Sequence, residues 1–100
     1  METAVLISLT FSYSKRSVGE VSRFFRKLYG YENHSHYGRY RSRVPGFLDQ
    51  IPYVRYSKGL IMVRKDHAVR VKKYLKDNGA SIQDWKVIPG KEDLVKLQAI

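Results

Sequence analysis

The chain has 100 residues, 43% of them hydrophobic and 28% charged, proportions that fit one globular domain better than a disordered or fibrous chain. Nineteen Lys and Arg against nine Asp and Glu leave a net charge of +10, a self-repulsion that a polyanionic partner would relieve. Cysteine is absent, which excludes disulfides, thiolate catalysis and cysteine-ligated zinc.

The longest strongly apolar run, residues 4–9, falls far short of the roughly 20 residues that span a bilayer. It carries no basic leader and no small-residue cleavage site. The expectation is a cytoplasmic protein with no membrane association. A core this small would also gain from forming a homodimer.

Residues 4–12 alternate, with Val5, Ile7, Leu9 and Phe11 on one face and Leu6, Ser8 and Thr10 on the other, which predicts a strand. Ser17 and Glu20 have the spacing of a capping box. A helix should follow, with Val18, Val21, Phe25 and Leu28 as its buried stripe and Gly30 as its C-terminal cap. Residues 31–52 read as a polar loop, a strand and a second loop. Alternation over 36–44 puts Tyr37, Arg39, Arg41 and Arg43 on one face and leaves Tyr40 for the core. Val44-Pro45-Gly46 should break that ladder.

Residues 53–56 form a short strand candidate, Ser57-Lys58-Gly59 a tight turn, and residues 60–64 an apolar strand. Asp66 is expected to cap a second helix that buries Ala68, Val71 and Leu75 and stops at Gly79. Residues 82–88 make a last strand. Residues 1–90 would then be one basic domain, and residues 91–100 a tail that forms a short helix through Leu94 and Leu97. The order predicts an α+β fold, most economically the ferredoxin-like β-α-β-β-α-β antiparallel sheet with two helices on one face. The alternative is a winged helix, with residues 53–64 as the wing.

Charge is concentrated. Residues 14–58 hold ten basic side chains against Glu20, Glu32 and Asp49, and nine of the thirteen aromatics. Arginine interleaved with tyrosine suits RNA or single-stranded DNA, because cations neutralise phosphates while ring faces stack on any base. The expected nucleic-acid contacts are Arg39, Arg41, Arg43 and Arg55, with Lys15, Arg16 and Lys58 at the rim and Tyr37 as the stacking ring. The Arg-rich strand would line the sheet face opposite the helices. A ribonucleoprotein subunit with a permanently covered basic surface, or a protein-interaction module, is a further possibility for the same surface.

The catalytic alternative is a metal-independent ribonuclease, with His34 or His36 as general base or acid and Tyr37 beside them. Over His34, His36 and Tyr74 the pattern resembles the HUH endonucleases, which combine a His-hydrophobe-His metal site with a tyrosine nucleophile. Ser35 stands where that family has its hydrophobe, and no acidic third ligand is evident, so neither a metal nor another cofactor is expected. Residues 45–52, with Phe47, Leu48 and Ile51 between prolines, suit either a helical turn plugging the core or a protein contact.

Overall fold

The apolar alternation near the N-terminus becomes β1 (Ala4–Thr10), an interior strand of a four-stranded antiparallel sheet. The structure, a computed structural model, describes residues 3–11, 17–35 and 40–98, with the backbone alone for His34, Ser35, Tyr40 and Arg41. On one side β1 pairs with β5 (Leu60–Arg64), which in turn pairs with β4 (Tyr53–Ser57). On the other side it pairs with β6 (Ser81–Val87), so the order is β4-β5-β1-β6. Ile7 stands opposite both Ile61 and Asp84.

The inner face of this sheet is covered by α1 (Val18–Tyr29) and α2 (Lys65–Asp77). Ile7, Leu9, Ile61 and Val63 from the strands meet Phe24 and Leu28 from α1 and Ala68, Val71 and Leu75 from α2. Each fully buried side chain of this kind contributes on the order of 2 kcal/mol. Ser17 caps α1 as its spacing predicts, its Oγ accepting from the Glu20 N–H at 3.2 Å. The buried stripe differs from expectation: it is Val21, Phe24, Leu28 and Tyr29, whereas Val18 is exposed in the first turn and Phe25 sits at the margin. Val21 is the first position of α1 to be buried, and Val18, three residues earlier at the start of the helix, stays outside the core. Asp66 likewise does not cap α2. It is the second helical residue, and its carboxylate takes the Arg64 guanidinium at 2.9 and 3.1 Å.

The outer face carries Leu6, Val54, Met62, Trp85 and Val87 in neighbouring register positions. A short α3 (Lys91–Lys96) folds over part of it and delivers Leu97 into a cluster with Ala4, Val54 and Met62. The Arg64 guanidinium holds this end by donating to the Gln98 carbonyl at 3.1 Å.

The largest departure from the sequence reading is between α1 and β4. Residues expected as a polar loop form β2 (Gly30–Ser35), paired antiparallel with β3 (Tyr40–Pro45) in a separate two-stranded ribbon. The Arg-rich strand therefore does not line the outer face of the main sheet. Pro45 does not break the ladder but ends it opposite Gly30, a place where a missing N–H costs little. Phe47–Gln50 is a single 3-10 turn, and it does plug the core: Leu48 and Ile51 are buried there.

Both ends of the ribbon meet at two glycines. Gly30 has φ +81°, and a Cβ on it would lie 2.6 Å from the Val44 carbonyl oxygen. A Cβ on Gly46 would fall on the Gly30 nitrogen and the Tyr29 carbonyl carbon. Gly46→Ala should therefore lower stability by about 2–3 kcal/mol, or roughly 10–20 °C in melting temperature. Gly19→Ala, in the exposed first turn of α1, where an added Cβ would meet only the Ser17 Oγ at an ordinary 3.9 Å, should instead be neutral or stabilising. Thermal unfolding of the two variants checks the contrast; equal behaviour would refute it.

Candidate nucleic-acid interface

The last turns of α1 face the β4–β5 turn, and Tyr29 joins them. Its hydroxyl donates to the Lys58 carbonyl at 2.6 Å. Burial pushes the Tyr29 phenol up to about 12, with the Arg55 charge pulling in the other direction, so the hydroxyl stays protonated and remains a donor. That bond fixes the turn from which Lys58 projects.

Three cations lie over three rings around this joint. The Arg55 guanidinium is 4.2 Å from the Tyr29 ring centroid, the Lys58 ammonium 5.2 Å from Phe25, and the Arg26 guanidinium 5.0 Å from Tyr31. Phe25 and Tyr29 are parallel, with centroids 6.1 Å apart. Beside them lies a groove of about 260 Å³ lined by Ser22, Phe25, Arg26, Tyr29, Arg55 and Lys58. A ring orients a cation without neutralising it. Among the described residues, no carboxylate pairs with Arg26, Arg55 or Lys58. The groove thus presents fixed positive charge and flat apolar surface together.

Arg43 has a different occupation. Its guanidinium donates to the Tyr29 carbonyl at 2.9 Å and to both Asp49 oxygens at 2.9 and 3.0 Å. Asp49 also accepts from the Gly46 N–H at 2.7 Å. One ion pair therefore ties β3, the end of α1 and the 3-10 turn together at the glycine crossing.

Of the other residues singled out in the sequence, Lys15, Arg16, His36, Tyr37 and Arg39 lie outside the described residues. His34 and Arg41 are backbone partners across the β2–β3 ribbon. The side chain of Tyr40, expected in the core, is also outside the described set. Tyr74 is packed flat against Phe47, ring centroids 4.0 Å apart. Among the described residues no cluster of three His, Asp or Glu could hold a metal, and no helix is long and apolar enough to cross a membrane. The structure brings together Arg55 and Lys58, both anticipated, with Phe25, Arg26 and Tyr29, which were not. The available signal was the Phe25-Arg26-x-x-Tyr29 spacing, which puts two rings one helical turn apart with a cation beside the first.

The Gly46 N–H, and secondly the Arg43 guanidinium, hold the Asp49 carboxyl below the usual carboxylate range. A depressed native value means stability that is present above the unfolded pKa of roughly 3.9 and is lost as pH falls through the native one. Asp49→Asn should therefore be less stable than the parent at neutral pH, with the deficit shrinking below about pH 4. Denaturation midpoints at the two pH values test this, and a deficit that stays constant would contradict it.

Comparison of the chain with family models, with curated proteins and with solved structures returns no match.

Proposed function

We propose that the domain is a ferredoxin-like module that binds single-stranded nucleic acid in the groove between α1 and the β4–β5 turn. The fold reading draws on the order β4-β5-β1-β6 with every pairing antiparallel. It also draws on α1 and α2, which follow the first and third strands of that sheet. The β2–β3 ribbon is then an insertion between α1 and the second sheet strand.

The observation that carries the binding reading is the set of ring-seated cations. Arg55, Lys58 and Arg26 border one groove, each held over an aromatic face. Phosphates meet the three charges, and a base stacks on a guanidinium plane that a ring holds in place. Single strands suit a groove of this kind better than duplex, whose bases are already stacked. Arg43 belongs to the scaffold in this reading, because Asp49 neutralises it.

The test is equilibrium binding of labelled single-stranded RNA and DNA in EDTA across a salt series. Affinity should fall log-linearly with salt and the strand should stay intact. Arg55→Gln with Lys58→Gln should reduce the slope by about 1.4, two phosphates at about 0.7 each. Trp85 is the single tryptophan and lies on the outer sheet face, 47% exposed. Its emission should not change on binding. Quenching of Trp85 with no effect of the double substitution would place the strand on the sheet and sink the groove.

A further inference from the structure

A second cleft opens on the far side of Arg26. It has a volume of about 440 Å³ and is lined by Arg26, Lys27, Tyr31, Phe47, Gln50 and Tyr74, among others, with no acidic residue in its wall. Its floor is the Phe47–Tyr74 pair, stacked at 4.0 Å with an interplanar angle of 3°. The Arg70 guanidinium lies 5.4 Å from the Phe47 centroid and donates to Gln50 Oε1 at 3.1 Å. Phe47 and Tyr74 are only half-buried. The pair packs against the main core and leaves part of its ring surface open to the cleft.

The cleft thus repeats the chemistry of the first groove, with aromatic surface below and cations at the edges. Arg26 lines both. Going round the C-terminal half of α1, the sequence of features is Lys58 and Arg55, then Phe25 and Tyr29, then Arg26, then Tyr31 and Lys27, then Phe47 with Arg70.

We infer that this cleft is a second nucleotide subsite, occupied by the same single strand after it passes Arg26. The inference rests on the reading of the first groove as a binding site. Arg26 holds the phosphate between the two subsites. Lys27 and Arg70 hold the phosphates beyond it, and the base in the cleft stacks over the Phe47–Tyr74 pair.

The consequence is a dependence on strand length that a single groove would lack. The probes are oligouridylates of graded length, up to about 16 nucleotides. The variants are Lys27→Gln with Arg70→Gln, both at exposed positions, and Arg55→Gln with Lys58→Gln. The first pair should leave the shortest bound strands unaffected. It should weaken longer ones roughly tenfold and lower their salt slope by about 1.4. The second pair should weaken strands of every length. Unchanged affinity of the Lys27/Arg70 variant at all lengths overturns the second subsite while leaving the first groove standing. So does an equal loss at all lengths, which is what removing two charges from the overall field would give. A parent protein that holds no strand at all removes both.

Discussion

Everything between α1 and β4 hangs on one close approach of backbone to backbone. Gly30 ends α1 in a left-handed conformation, and the chain returning through Gly46 passes so near that neither position has room for a side chain. The Arg43–Asp49 pair bolts this crossing from the outside, and the Gly46 N–H bonds to the same carboxylate. A carboxylate held by a guanidinium nitrogen and a backbone N–H in fixed positions is a local constraint on the chain. From it follow the position of the 3-10 turn, the burial of Leu48 and Ile51, and the placement of Phe47 against α2. The ribbon is carried on this joint, outside the main sheet.

The same joint sets the electrostatics. Tyr29 is the residue before Gly30, so the crossing that fixes the backbone also fixes a ring at the centre of the basic groove. Through its hydroxyl that ring holds the turn bearing Lys58, and through its face it seats Arg55. Scaffold and charge are therefore coupled. Net charge of +10 on a chain this size repels itself, and seating cations on rings keeps them apart without counter-charges.

Much of the sheet was legible because its signals are local. Period-two alternation marks β1, a two-residue turn at Lys58-Gly59 joins β4 to β5, and the Ala68, Val71 and Leu75 stripe marks α2. The ribbon was not legible, because which strand pairs with which is decided by tertiary geometry. Gly30 reads correctly as the end of a helix, yet nothing in the local pattern says that it also begins a strand. Pro45 reads as a breaker, although at the end of a two-stranded ribbon it is tolerated. The site followed the same division. Arg55 and Lys58 stand out from their aromatic neighbours in the sequence. Phe25, Arg26 and Tyr29 belong to the site only because of the side α1 turns toward the β4–β5 turn. The displaced stripe of α1, buried at Phe24 rather than Phe25, is what frees Phe25 to sit under Lys58.

The place of β1 within the sheet has a consequence for how the chain is made. β1 is an interior strand, and both of its partners, β5 and β6, lie downstream of α1 and the ribbon. Its two ladders close only when residue 87 has left the ribosome, so until then the nascent chain carries the apolar row Val5, Ile7 and Leu9 without a complete sheet. Such long-range pairing makes for slow folding and a long period of exposure to other unfolded chains. Over that period the excess of positive charge acts in the chain's favour, since like-charged nascent chains repel one another before their strands can cross-pair.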